Sequence, residues 1–371
     1  MSVPASRTLR GMWRFRDRLP IRDPRHIVSL GEGDTPLIDL SATLGRRLGL
    51  DSLHLKAEDR NPTGSFKARI ASVAASLVRQ DGLAGLVGTS SGNGGAAAAA
   101  YAAAAGSRAV LFTLSDTVPV KLLEITAAGG AAYRVEGVGH DAASTIAVAD
   151  AIALAARESG HYPMLTGFHY APDAMRGVET IAYELAEDIP ELTVVYAPVG
   201  GGGLLTGLGR GFAADDRAVR LVGVHPEGAT ALPAALSGDF SGMVGRVETS
   251  ISGLQMAVLY DAEGASEAVR SSAGHATAVS DAEVQAAQAL LAREHGILVE
   301  PAGATALAGV IADVRSGRVG RGDRIAVVLT GAGYKDADAL RRIAGTREVP
   351  VITVGEVSAM LGLLGEGRAD G

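Results

Sequence analysis

The chain has 371 residues, enough for about two domains of ordinary size, and its 47% hydrophobic and 20% charged side chains suffice for a buried core. A formal net charge of −7 argues against a nucleic-acid binder, which would normally display a basic face, and the absence of cysteine excludes disulfides, thiolate metal sites and cysteine nucleophiles. Gly reaches 49 while aromatics make up only 4%, so the interior is expected to rely on close backbone packing rather than on large rings.

The first twenty residues are basic but carry no apolar stretch and no cleavage-site pattern of a secretory leader. The most apolar tract, 96–105, is too short and too alanine-rich to span a bilayer. These features predict a soluble, cytoplasmic chain with no membrane partner, no nucleic-acid partner and no metal.

In chain order, short apolar runs at 53–56, 85–87, 109–113, 131–135, 192–197, 220–224 and 325–329 read as buried strands. Between them, 68–80, 94–105, 120–128, 142–158, 176–187, 204–212 and 281–295 carry a helical period. Strand followed by helix, repeated, predicts a parallel α/β architecture, and the glycines cluster at strand ends where such a sheet presents its ligand crevice.

The first cluster is Asn61-Pro62-Thr63-Gly64-Ser65-Phe66-Lys67-Ala68-Arg69. Pro62 and Gly64 predict a turn and Ser65 an N-cap, which puts Lys67 in the first helical turn. The helix dipole disfavours a cation there, so the amine is more easily neutral, as imine formation requires. An exposed lysine at a helix start is the plain competing reading. Next, Gly88-Thr89-Ser90-Ser91-Gly92-Asn93-Gly94-Gly95 joins a strand to an alanine-rich helix. Backbone N–H groups at such a helix start, with serine hydroxyls, suit a carboxylate; a capped turn is the alternative.

Val199-Gly200-Gly201-Gly202-Gly203-Leu204 follows the strand at 192–197. Without Cβ atoms, a phosphate can approach the backbone amides at the helix start. A dinucleotide fingerprint is the rival, but Asp215 and Asp216 come before any second strand, too early for the acidic residue expected about 20 positions on; Glu227 after the next strand keeps it open. The Gly296-Ile297-Leu298-Val299-Glu300-Pro301-Ala302-Gly303-Ala304 block reads as a capped helix start packed through small residues. The strand at 325–329 runs into the turn Thr330-Gly331-Ala332-Gly333-Tyr334-Lys335-Asp336.

Taken together, the Thr-Gly-Ser-Phe-Lys core, the Ser-Gly-Asn loop, the four glycines followed by leucine, the Gly-Ile-x-x-Glu-Pro-x-x-Ala block and Thr-Gly-x-Gly-x-Lys-Asp resemble the fold type II (β-family) pyridoxal-phosphate enzymes. The resemblance is to the threonine synthase and serine/threonine dehydratase group and runs over about 29–336. It implies two parallel-type open sheets flanked by helices, like the tryptophan synthase β subunit, with the active site between the domains. A larger cofactor-binding domain would comprise 1–65 and 161–345, a smaller mobile domain 66–160, and a C-terminal tail 346–371. The resemblance also implies a homodimer.

By the same resemblance, Lys67 forms the Schiff base with pyridoxal 5′-phosphate and Asn93 meets the cofactor's 3′-oxygen. Gly200, Gly201, Gly202, Gly203 and Leu204 cradle the phosphate, and Thr330 meets the pyridine nitrogen. Thr89, Ser90, Ser91 and Gly94 hold the substrate carboxylate, with Ser91 a second acid/base opposite Lys67, and Arg176 supplies a cation for an anionic substrate. A neutral hydroxyl at the ring nitrogen weakens the electron sink, which favours expelling a leaving group.

Gly31-Glu32-Gly33-Asp34-Thr35-Pro36-Leu37 resembles the opening motif of threonine synthases, as do Asn61-Pro62 and 330–336. The pocket departs from that pattern. Lys67-Ala68-Arg69-Ile70 stands for their Lys-Asp-Arg-Gly, Ser90-Ser91-Gly92-Asn93-Gly94 for Ser-Thr-Gly-Asn-Thr, and Tyr170-Ala171-Pro172-Asp173-Ala174-Met175-Arg176 for their Asn-Pro-Tyr-Arg stretch. The tetraglycine form resembles dehydratases. Function follows the site rather than the frame, so the expected reaction is β-elimination or β-replacement on a small amino acid through an aminoacrylate-type intermediate. The alternatives are γ-replacement on phosphohomoserine, a nucleotide-binding oxidoreductase built on 200–203, and a silent cofactor-binding homologue.

Overall fold

In the computed structural model, residues 9–90, 92–115, 117–136, 141–229, 231–244, 247–346 and 349–366 are described. The chain opens with β1 (Leu37–Asp39), the single turn α1 (Arg46–Leu48), β2 (Ser52–Lys56) and α2 (Lys67–Asp81). It continues through β3 (Gly85–Thr89), α3 (Asn93–Ala105), β4 (Arg108–Leu114), α4 (Pro119–Ala127), β5 (Ala131–Val135), α5 (Ala142–Glu158) and β6 (Tyr162–Pro163). Next come α6 (Pro172–Asp188), β7 (Val194–Pro198), α7 (Gly203–Ala214), β8 (Arg220–Pro226), α8 (Leu232–Leu236), α9 (Ala262–Ser271) and β9 (His275–Val279). The chain ends with α10 (Asp281–His295), α11 (Pro301–Ser316), β10 (Arg324–Val328), α12 (Ala337–Ala344) and α13 (Val354–Glu366).

The strands make two sheets. The larger runs β1-β2-β10-β7-β8-β9, parallel except for β1, and the smaller runs β5-β4-β3-β6, parallel throughout. This is the expected α/β class with two parallel-dominated sheets flanked by helices. Every residue of β7 is buried, and its side chains alternate between two cores: Val195 and Ala197 face α2, α6 and α7, whereas Val194 and Tyr196 face α10 and α11. A strand covered on both faces reads as a continuous apolar run, which is why it is legible in sequence.

Small residues let the helices approach closely. An added Cβ at Gly177 in α6 would overlap the Arg69 carbonyl of α2. The same contact carries the fully buried Arg69 guanidinium, which donates to Glu58 (2.6 and 2.8 Å) and Glu184 (2.7 and 2.8 Å). A buried charge is tolerated because both carboxylates answer it. Glu32 of the opening motif is likewise buried and accepts from Trp13 Nε1 (2.7 Å) and Ser72 Oγ (2.6 Å), which ties the N-terminal arm to α2.

Several local expectations shift. The expected helix 176–187 starts earlier, at Pro172, whose fixed φ suits a first helical position. Residue Leu192, placed in a strand by its apolarity, lies before β7 and donates its N–H to Ile189 O. Ser65 does not cap α2: its backbone bridges to Gly331, the N-cap position falls to Phe66, and the Ser65 hydroxyl is buried without a partner. The β1, β6, β9, α8, α9 and α12 elements are additional to those expected from the sequence, although α12 carries an amphipathic pattern capped by Asp336. In the C-terminal tail, Val349, Val351 and Val354 are almost wholly exposed. Among the described residues, no helix is long and apolar enough to cross a membrane.

Candidate active site

A cavity opens where the C-terminal ends of the two sheets meet, lined by Thr89 at the end of β3, Pro198 at the end of β7 and Thr330 just beyond β10. This is the crevice position expected of open parallel sheets. The same walls hold Lys67, Ser90, Asn93, Gly94, Gly200, Gly201, Gly202, Gly203 and Leu204, so that with Thr330 residues from four separate motifs come together.

Lys67 is the first residue of α2. It is aimed by the turn before it: Gly64 has φ +68, and an added Cβ there would overlap the Tyr334 hydroxyl. Phe66 N then donates to Thr330 O (3.2 Å) and Ala332 N to Gly64 O (2.9 Å), which fastens the lysine loop to the turn after β10. The Lys67 amine lies 4.5 Å over the Phe66 ring and donates to Thr166 Oγ1 (3.0 Å). Burial lowers its pKa to about 8, against the opposing charges of Asp261 and Glu300. The direction agrees with the helix-dipole expectation, and the cause is desolvation.

In the 88–95 loop, Ser90 Oγ accepts from Gly92 N (3.2 Å) and Gly95 N (2.8 Å). Its hydroxyl shapes the loop as well as lining the cavity. Asn93, at the start of α3, donates from Nδ2 to Glu300 Oε1 (2.6 Å), and its buried Oδ1 has no partner. Ser91 lies outside the described residues.

Gly202, with φ +87, leads into α7, which begins at Gly203. Added Cβ atoms at Gly201 and Gly202 would press on Tyr260 (3.3 Å) and Leu259 (3.0 Å), so the four glycines also let the 253–261 segment close behind the loop. The first N–H groups of α7 have no intrahelical acceptor, and the helix end favours an anion.

Arg176 is not at the site. Its guanidinium donates to Arg18 O (2.6 Å) near the protein exterior, because the helix that carries it starts at Pro172 and turns position 176 away from the cavity. The expectation of a substrate cation there is therefore corrected. Conversely, sequence reasoning does not find Thr166, Tyr260 or Asp261. The Asp261 carboxylate accepts from Phe168 N (2.8 Å) and His169 N (3.0 Å), its backbone N–H donates to Gly201 O (3.0 Å), and burial raises its pKa. These residues sit in irregular segments without a motif. Glu300, expected at a capped helix start, makes no side-chain cap and lines the cavity instead.

The sequence profile of the pyridoxal-phosphate dependent enzyme family matches residues 28–331. A threonine synthase of Methanocaldococcus jannaschii is 31% identical over 345 residues, covering 90% of this chain and 82% of that one. A threonine synthase of Mycobacterium tuberculosis is 32% identical over 356 residues, covering 93% and 94%. Among solved structures, a T.th. threonine deaminase has TM-score 0.66 at 29% identity, over 80% of this chain and 92% of that one. A maize serine racemase has TM-score 0.69 at 22% identity, over 89% and 93%, a likeness of fold.

Pyridoxal phosphate brings an aldehyde, a ring oxygen, a ring nitrogen and a phosphate. The cavity offers a partly buried amine of lowered pKa, an asparagine amide at its wall, a buried threonine hydroxyl, and free helix N–H groups behind a loop without Cβ atoms. The donor set fits the group.

Proposed function

The chain belongs to the pyridoxal-phosphate dependent enzymes, and from that premise we propose that it catalyses β-elimination, or β-replacement, on a small amino acid in the manner of a dehydratase or ammonia-lyase. Lys67 would hold the aldehyde carbon, Asn93 the ring oxygen, Thr330 the ring nitrogen, and Gly200 to Leu204 the phosphate. When bound, the cofactor supplies an aldehyde for the substrate amine and a conjugated ring that draws electron density from the substrate Cα.

The remaining work falls to the protein. Thr89, the Ser90 side chain, Ser91 and the Gly94 N–H at the start of α3 receive the substrate carboxylate. With its pKa near 8, the Lys67 amine is partly neutral near neutral pH and takes the Cα proton, while Thr166 Oγ1 holds its direction. Loss of the β-substituent with its bonding pair completes the elimination, and hydrolysis gives a 2-oxo acid and ammonia. Ser91 is the acid opposite Lys67 in this reading. Thr330, a hydroxyl rather than a carboxylate, does not keep the ring nitrogen protonated, which favours early loss of the leaving group. The family resemblance supports a cytoplasmic homodimer.

One observation carries the choice of reaction. Among the described residues lining the cavity, Lys67 is the only cation, and Arg176 lies elsewhere. The cofactor phosphate takes the start of α7 and the substrate carboxylate the start of α3, so a second phosphate would have to be met by an Arg or Lys, whereas a small β-substituted amino acid needs none. The relatives named threonine synthase support the second reading, γ-replacement on phosphohomoserine. The test is a spectral titration of the holoenzyme with serine, threonine, diaminopropionate, O-phosphoserine and phosphohomoserine, with product assay. A 2-oxo acid and ammonia from serine, threonine or diaminopropionate is expected, and turnover of O-phosphoserine alone counts against the cation argument. Turnover of phosphohomoserine alone, with threonine accumulating, overturns the proposal.

A further inference from the structure

Among the described residues lining the cavity, Glu300 is the only carboxylic acid. It directly precedes Pro301, the first residue of α11, where Ser, Thr, Asp or Asn commonly cap a helix. Glu300 does not cap; its carboxyl turns into the wall. Oε1 accepts from Asn93 Nδ2 (2.6 Å), while Oε2 is buried without a hydrogen-bond partner, 3.7 Å from Lys121 Nζ on α4. Lys121 is itself fully buried and donates to Ser252 Oγ (3.1 Å). Gly331 leaves the room: an added Cβ there would overlap Oε1 and stand 3.0 Å from Asn93 Nδ2. The glycine after Thr330 is therefore explained by the Glu300 carboxyl rather than by the turn.

An asparagine amide is nearly symmetric in shape, so its neighbours decide which end donates. An ionised carboxylate only accepts, and it therefore selects the Nδ2 end. We infer that Glu300 is a positioning residue for the cofactor: by accepting from Asn93 it fixes that amide as a donor at the cavity wall, toward the ring oxygen of pyridoxal phosphate. Burial raises the Glu300 pKa, and the nearby charges of Lys121 and Lys335 and the Asn93 hydrogen bond oppose it, with Asp336 adding to the rise. The paired amide at Oε1 and the cation on α4 beside Oε2 favour the ionised form against that burial. This inference rests on the cofactor and not on which reaction follows, so a test that reads binding alone separates its failure from that of the proposed elimination.

The experiment is equilibrium binding of pyridoxal phosphate to the apoprotein, followed by absorbance, with the Tm of each variant as a control of folding. Glu300→Ala is expected to weaken binding by about tenfold, the effect of losing one hydrogen bond in a buried site. Glu300→Gln keeps an acceptor carbonyl at the same reach and is expected to stay within about threefold of the wild type. Because Glu300 acts through Asn93, adding Glu300→Ala to Asn93→Ala should cost nothing further. Additive losses, wild-type binding by Glu300→Ala, or equal losses in Gln and Ala each overturn the inference. If Glu300→Ala does not fold, the exchanged pair Asn93→Asp with Glu300→Gln decides. It restores a hydrogen bond of reversed polarity and should remain about tenfold weak, as a missing donor requires; wild-type affinity in that pair refutes positioning.

Discussion

Lys67 Nζ donates to Thr166 Oγ1 across 3.0 Å, although 99 residues separate the two. The contact joins the first turn of α2 to the segment that follows β6. Thr166→Val removes the acceptor and keeps the volume. Turnover on the best substrate is expected to fall about tenfold, the usual scale for a misdirected general base, with little change in Tm. Unchanged kcat would show that the hydroxyl does not aim the amine.

The same amine predicts a pH dependence. Only the neutral form adds to an aldehyde, so the rate at which pyridoxal phosphate joins the apoprotein should rise with pH and level off above about 8, well below the ordinary lysine value of 10.5. The Asp261 carboxylate stabilises the ammonium. Asp261→Asn should therefore move the midpoint to lower pH. Stopped-flow absorbance across the range reads both; a midpoint near the ordinary lysine value, or a shift upward in the variant, contradicts the geometry.

Lys335 and Glu124 form a second long-range pair, with Nζ 2.8 Å from each carboxylate oxygen and joining the turn after β10 to α4. The lysine side chain is fully buried, whereas 28% of the glutamate side chain is exposed. Removing one partner is therefore not the same as removing the other. Glu124→Ala strands a buried cation and should cost about 3–5 kcal/mol. Lys335→Met leaves a carboxylate that reaches water and should cost clearly less. Urea unfolding of the two variants measures the asymmetry, and equal costs would refute it.

Gly177 tests the helix contact. Alanine favours a helix interior over glycine by about 1 kcal/mol, yet the added Cβ would overlap Arg69 O and lie 3.2 Å from Val73 Cγ2. Overpacking should win, for a net loss of about 1–3 kcal/mol. A lower urea midpoint at unchanged m is the expected result; stabilisation would mean that α2 and α6 separate freely.

The sequence by itself determined the strand and helix alternation, the lysine at a helix start, the asparagine after the strand-end loop, the four glycines and the threonine after the last strand. Each is a local statement: an apolar period, a turn glycine or a helix start is dictated by a few adjacent residues. Tertiary structure decided the rest. Sheet order brings the ends of β3, β7 and β10 together, which pairs Lys67 with Thr166 and Asn93 with Glu300. It also turns Arg176 away. Desolvation, the main cause of the lowered lysine pKa, is a property of what surrounds a side chain in three dimensions, and nothing in the neighbouring letters encodes it.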